Sequence, residues 1–298
     1  MGYALAERVA RPLQAVTGVY PPRVGSESQP RRARICRAAI LLGALMLVVL
    51  PAAARASREA ALQPGPTGAA ADGGDPFASW PAAEEGAERT VQVSDERQRT
   101  YFAYVRRSVA VRPSPSSRGT AVGRVRPQTY YGLRDLVLVL ETRRSQQGMW
   151  ARVRYSGQGR RTGWISAAAL TTPQLVRTRL VINRGRTQVR LFRSGRLVFK
   201  ARAGVGARSS PTPRGKFFIR ERLRPRRRDT IYGPLAFGLS TYSRYRTDWP
   251  GGGQVGLHGT NQPGLIPGRI SNGCIRLRNA EILRLGRLMP VGTPVLIR

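Results

Sequence analysis

Val255-Gly-Leu-His258-Gly-Thr260 is followed, eleven residues on, by Ser271-Asn-Gly-Cys274-Ile-Arg-Leu277, and these two stretches decide how the rest of the chain is read. They hold the only histidine in 298 residues and one of only two cysteines. A thiol attacks as its thiolate, and a free thiol is mostly protonated at neutral pH, so a nucleophilic cysteine needs a base nearby. The one imidazole lies sixteen positions before Cys274. Val255 and Leu257 alternate as one face of a short strand ending at His258. Ser271-Asn-Gly-Cys274 reads as a tight turn feeding an apolar strand. Gly273, lacking a Cβ, lets neighbouring N–H groups converge on one point. The N–H groups of Asn272, Gly273 and Cys274 are therefore candidates for an oxyanion hole. A plainer reading stands beside this one: buried cysteine is a common small core residue, and one near a histidine is often a coincidence.

His258-Gly-Thr260 followed by Ser271-x-Gly-Cys274-Ile-Arg-Leu277 resembles the signature of the L,D-transpeptidase catalytic domain, the YkuD-like family. Gly204-Val-Gly206, Thr212-Pro-Arg-Gly215-Lys-Phe217 and Tyr232-Gly-Pro-Leu235 match that family's landmarks in order. The resemblance runs from about residue 175 to residue 298. It departs at Asn272, where the family usually has His. The resemblance assigns the base to His258, and the chain offers no second imidazole.

What the resemblance implies is a cysteine acyl transferase acting on peptidoglycan stem peptides. Cys274 is then the nucleophile and His258 its base, with the Gly259 carbonyl orienting the ring. Attack releases a terminal D-alanine and leaves a thioester, which the side-chain amine of a second stem resolves into a cross-link between third residues. Asn272, Gly273 and Cys274 supply the oxyanion N–H groups. Ser271 braces the turn or meets substrate, and Arg276 meets a substrate carboxylate or a structural acid. Two rivals remain open: hydrolysis of the same bond by an L,D-carboxypeptidase, and a non-catalytic wall- or polyanion-binding protein. A probe that labels Cys274 faster than a free thiol is expected to favour the enzyme. One histidine and two scattered cysteines cannot build a tetrahedral zinc site, so neither metal nor cofactor is expected.

The net charge is +35, from 51 basic and 16 acidic residues. Nearly all the cations are arginine; Lys200 and Lys216 are the only lysines. Such a surface attracts any polyanion, including anionic cell-wall polymers. No nucleic-acid-reading motif accompanies the charge, and a genome-wide preference for Arg codons gives the same composition. No nucleic-acid partner is assigned.

The length allows two folded domains plus tails. Residues 1–37 form a basic leader, with Arg31, Arg32, Arg34 and Arg37 placing the N-terminus in the cytoplasm. Residues 38–56 carry the uncharged run Ile40-Leu-Leu-Gly-Ala-Leu-Met-Leu-Val-Val-Leu50 and the small-x-small stretch Ala54-Arg-Ala56. This segment reads as a signal peptide or a membrane anchor, which puts the remainder in the extracytoplasmic cell envelope. Cys36 and Cys274 then lie apart and form no disulfide. Residues 57–90, rich in Ala, Gly, Pro and Glu, read as a flexible tether in which Phe77 and Trp80 make a local contact.

Residues 91–172 change character. Leu136-Val-Leu-Val-Leu140 is a compact apolar strand, and Trp150-Ala-Arg-Val-Arg-Tyr155 alternates as a half-buried one. Short strands broken by Gly and Pro point to a small barrel. The Val-x-Pro start, the Trp-x-x-Val strand and the closing Thr162-Gly-Trp-Ile165 resemble a bacterial SH3-like domain.

Residues 173–298 read as the catalytic domain, mainly β with one short helix. Paired strands flank the turns at Asn183-Arg-Gly185 and Ser194-Gly195. Arg220 to Arg228, with six arginines, is expected to be a solvated loop. Tyr245 is a candidate lid residue over a peptide groove. Asn279 is expected to N-cap a helix reaching Met289, with Ile282, Leu285 and Leu288 on one face.

Overall fold

The computed structural model describes residues 77–80, 89–158, 161–245 and 251–298. The leader, the apolar segment and most of the tether lie outside the described residues. Among the described residues no helix is long and apolar enough to cross a membrane.

The first part of the described chain is built from β1 (Thr90–Gln92), β2 (Thr100–Tyr104), β3 (Val109–Val111), β4 (Gly123–Val125), β5 (Leu136–Ser145), β6 (Gly148–Arg154), β7 (Thr162–Ser166) and β8 (Gln174–Val176). Six of these form one antiparallel sheet in the order β7-β6-β5-β2-β8, with β1 also on β5, while β3 and β4 pair as a ribbon. Leu136–Leu140 is apolar without a break because both of its faces are covered. Val137 and Val139 point into a core with Val105, Ala151, Val153 and Ile165. Leu136 and Leu138 point the other way, against Phe102, Val176 and Phe218. Trp80 packs edge-on against Phe77 and joins the first of these cores. That part of the expected tether therefore belongs to the folded unit.

The second part contains β9 (Thr178–Asn183), β10 (Gln188–Arg193), β11 (Arg196–Arg202), β12 (Gly204–Gly206), β13 (Gly215–Leu223), β14 (Ala236–Tyr242), β15 (Gln254–His258), β16 (Gly268–Ser271), β17 (Ile275–Arg276) and β18 (Pro294–Ile297), with the helix α1 (Asn279–Leu288) before the last strand. The strands form one sheet in the order β11-β10-β9-β18-β13-β14-β15-β17-β12-β16. One face is apolar by alternation: Phe217, Ile219, Phe237, Leu239, Val255, Leu257, Ile275 and Leu277 all enter a single core, which α1 joins through Ile282 and Leu285. The residues between them, Gly238, Gly256, His258, Cys274 and Arg276, fall on the opposite face by the two-residue period of a strand.

Two expectations are corrected. The arginine-rich run is not wholly a loop, because β13 continues through Leu223. Its first arginine, Arg220, is buried, since Asp135 faces it with both carboxylate oxygens. The helix begins one residue earlier than expected. Arg278 is its N-cap, with its backbone N–H donating to the Glu281 carboxylate (3.2 Å). Asn279 is released for another task, described below.

Candidate active site

β15 and β17 run parallel in register, Leu257 opposite Ile275 and His258 opposite Arg276. One step earlier the Gly256 N–H donates to Cys274 Sγ at 3.4 Å. A side chain at position 256 would stand in the way. A Cβ there would lie 3.4 Å from His258 Cδ2, the ring carbon bonded to Nε2, and 3.7 Å from Sγ. Sulfur and imidazole thus share the small space above one glycine. A glycine inside a strand often marks such a close approach, and that signal was present in Val255-Gly-Leu-His258.

His258 is 3% exposed. Its Nδ1 lies 2.7 Å from the Gly259 carbonyl oxygen. A carbonyl only accepts, so Nδ1 carries the proton and Nε2 keeps its lone pair in the neutral ring. Tyr232 packs edge-on against the ring, with centroids 5.1 Å apart. Burial, helped by the nearby Arg276 cation, depresses the imidazole to about 4, although the carbonyls of Gly259 and Ile231 favour its protonated form. Burial also pushes the Cys274 thiol up, with the Gly256 N–H and Arg276 pulling partly the other way. The resting pair is a thiol beside a neutral imidazole.

The segment that carries the Gly259 carbonyl is braced from α1. Asn279 Oδ1 accepts the Thr260 N–H at 2.8 Å. A Cβ on Gly259 would come within 2.4 Å of that oxygen and 3.1 Å of Gly233 Cα. Asn279 is thus a positioning residue that sequence reading assigned only to helix capping.

The turn before Cys274 is built as the sequence demands. Gly273 has φ +117, a conformation that L side chains rarely adopt. The Gly273 N–H donates to Ser271 Oγ (3.2 Å), and Ser271 Oγ donates to the Cys274 carbonyl (2.6 Å). The Ser271 hydroxyl is committed to this turn. One of the three expected oxyanion donors, the Gly273 N–H, is likewise committed, which leaves Asn272 and Cys274 as the candidates.

A cleft opens over this turn, lined among others by Tyr232, Gln254, His258, Asn272, Cys274 and Arg276. Arg276 has no acid partner among the described residues. Its Nε is buried without a hydrogen bond, and its Nη1 meets only the neutral Gln262 side chain at 3.4 Å. Tyr245 is not brought to this cleft. It is 59% exposed and lines a neighbouring one with Arg184, Arg214 and Phe217. Residues 246–250, the rest of the expected lid, lie outside the described residues.

A half-buried thiol beside a buried neutral imidazole, at the ends of neighbouring strands, is the pair that a cysteine-dependent enzyme uses. The L,D-transpeptidase catalytic domain family model, YkuD, matches residues 177–297. The YkuD protein of Bacillus licheniformis is 32% identical over 129 residues, which cover 43% of this chain and 70% of that protein. The Bacillus subtilis YkuD protein is 30% identical over the same shares. Among solved structures, Bdellovibrio bacteriovorus Bd1075 is 27% identical with a TM-score of 0.33, over 41% of this chain and 47% of that one. The chain thus spans about half the length of that solved relative. The chain belongs to the YkuD L,D-transpeptidase family.

Proposed function

We propose that this chain is a cysteine-dependent L,D-transpeptidase that cross-links peptidoglycan stems through a thioester. His258 Nε2 takes the Cys274 proton as Sγ attacks the carbonyl joining the third stem residue to a terminal D-alanine. The carbon–nitrogen bond breaks, the imidazolium returns the proton to the leaving amine, and D-alanine departs. The side-chain amine of a second stem attacks the thioester. Its proton passes to His258 and on to the departing sulfur, leaving an amide between third residues. The N–H groups of Asn272 and Cys274 steady the oxyanion in both halves. Arg276, a cation facing the cleft with no acid partner among the described residues, receives the terminal carboxylate of the donor.

The observation that carries this reading is the meeting of sulfur and imidazole above Gly256, with Nδ1 tied to Gly259 so that Nε2 is the basic nitrogen. Two accessory readings go with it. The unit at 91–172 serves as an SH3-like module beside the catalytic sheet, and the segment at 38–56 exports or anchors the chain in the cell envelope. The cleft lined by Arg186, Arg190, Lys200 and Arg202 suits an anionic wall polymer.

The test is mass spectrometry of a disaccharide-tetrapeptide incubated with the protein. A cross-linked dimer with released D-alanine, absent from Cys274→Ala, is the expected result. Tripeptide alone makes the chain a carboxypeptidase. Unchanged substrate makes it a binder and overturns the proposal.

A further inference from the structure

Glu221 is 2% exposed, and neither of its carboxylate oxygens has a hydrogen-bond partner among the described residues. A buried carboxylate without donors is costly, and such a group in a folded protein calls for a reason. The adjacent cation does not supply one. The Arg220 guanidinium spends its bonds on Asp135 and on the Tyr242 hydroxyl.

The position of Glu221 in the sheet points to the reason. Glu221 pairs with Gly238, and Gly238 pairs with Gly256. Gly256 in turn lies beside Cys274. All four fall on the face opposite the apolar core, Glu221 because the register shifts between it and Ile219 and breaks the alternation that puts Phe217 and Ile219 in the core, so two glycines in a row separate the carboxylate from the sulfur. Where Gly238 would carry a Cβ, Glu221 Oε1 stands 2.6 Å away. Where Gly256 would carry one, Sγ stands 3.7 Å away. Neither glycine puts a side chain of its own between the two groups, so Oε1 over Gly238 and Sγ over Gly256 lie at most roughly two strand spacings apart, about 10 Å.

Gln254 stands over Gly238 beside the carboxylate. It lines the cleft that holds His258 and Cys274, and its Nε2 shares the space above Gly238 with Glu221 Oε1 while donating to the Leu239 carbonyl at 3.0 Å. A ligand in the cleft reaches the carboxylate only if this amide turns aside. Tyr131, from the first part of the described chain, reaches the loop before β15: its hydroxyl lies 3.1 Å from where a Cβ of Gly251 would be. Its phenol is pushed up to about 12, first by burial and then by Glu221, with Tyr232, Tyr130 and Cys274 contributing less.

We infer that Glu221 is the subsite carboxylate that draws the amine of the acceptor stem into the site; this rests on the proposed function. A peptide bearing a cationic side-chain amine supplies the missing partner of Oε1 and Oε2. An amine bonded to Oε1 on the cysteine side stands roughly one strand spacing, about 5 Å, from a carbon bonded to Sγ. Glu221 thereby biases the thioester toward an amine and away from water.

The test measures binding, so it does not depend on turnover. The full-length chain carrying Cys274→Ala is compared with Cys274→Ala/Glu221→Gln by calorimetry. The probes are a disaccharide-tetrapeptide with its side-chain amine free and the same molecule with that amine acetylated. The expected result is at least tenfold weaker binding of the free-amine form to the Gln variant, with the acetylated form bound equally by both. Equal binding of the free-amine form by both proteins overturns the inference. A marked fall in melting temperature for Glu221→Gln also overturns it, because a structural carboxylate would then explain the burial. An unpaired buried charge predicts an unchanged or higher melting temperature. If neither probe binds either protein, the stem-peptide reading falls and this inference falls with it.

Discussion

Arg220 and Asp135 meet through two short hydrogen bonds, Nε to Oδ1 at 2.7 Å and Nη2 to Oδ2 at 2.6 Å. Both are nearly buried, at 7% and 6% exposure. The pair ties the residue just before β5 to the middle of β13, next to Phe218, which packs against Leu136 and Leu138. Removing one partner leaves a desolvated charge behind. Asp135→Ala is expected to cost about 3–5 kcal/mol in denaturant unfolding, the range for a broken buried pair. Asp135→Leu combined with Arg220→Met is expected to recover most of that loss, since two apolar side chains need no partner. A double variant as weak as the single one would show that the charges are not coupled.

From sequence, fast labelling of Cys274 is the result expected to favour the enzyme; the buried pair makes slow labelling compatible with an enzyme too. Burial raises the Cys274 thiol and lowers the His258 imidazole, so neither ionises readily at neutral pH. Alkylation of Cys274 in the free protein at pH 7 is therefore expected to be slower than that of a free thiol. The rate should climb only as pH passes above the ordinary thiol value of 9.0. A fast, flat rate across neutral pH would reveal a preformed thiolate–imidazolium pair. With the slow rate expected, activation occurs during attack, when the proton crosses to Nε2 as the carbon–sulfur bond forms.

The same imidazole makes a pH-dependent contribution to stability. Its folded value, about 4, lies below the ordinary 6.5. Above pH 6.5 the ring is neutral in both states and the contribution is fully present. As pH falls from 6.5 toward 4 the unfolded chain takes up a proton that the folded chain refuses, so stability declines by about 3 kcal/mol at most. Unfolding free energies of the wild type and His258→Gln, measured from pH 8 to pH 3.5, should converge or cross in that window. Contributions from the carboxylates are common to both proteins and cancel in the difference. Parallel curves would show that the ring titrates in the folded state at its ordinary value.

The sequence exposed the strands because their alternation is local. Val255 and Leu257 had to share a face, and Asn183-Arg-Gly185 had to turn. It also exposed the neighbourhood of His258 and Cys274, because each sits beside a glycine whose use is local. Register across the sheet was beyond it. Nothing near Glu221 in the chain announces that Gly238 and then Gly256 follow in the next strands. The burial of Arg220 was hidden for the same reason, because its partner Asp135 is 85 residues away in the chain. Asn279 misled by propensity: an Asn before an apolar repeat is a good N-cap, but tertiary structure uses its side chain to hold Thr260.

Arg276 provides the sharpest separation between a structural cation and a substrate-binding one. It sits across from His258 in register, and among the described residues its guanidinium meets the Gln262 side chain, at 3.4 Å, and no acid. A structural arginine would hold an acid, and its loss would be read in stability. An arginine waiting for the donor's terminal carboxylate would be read in substrate affinity instead. Arg276→Gln is expected to raise KM for a tetrapeptide with a free terminal carboxylate by about 10- to 100-fold, the worth of a charge-assisted hydrogen bond. The same variant should barely change KM for the terminal amide, which has no charge to lose. Its melting temperature should stay close to that of the wild type. A uniform loss on both peptides would assign Arg276 to the electrostatics of the thiol, which it also faces, and not to the substrate.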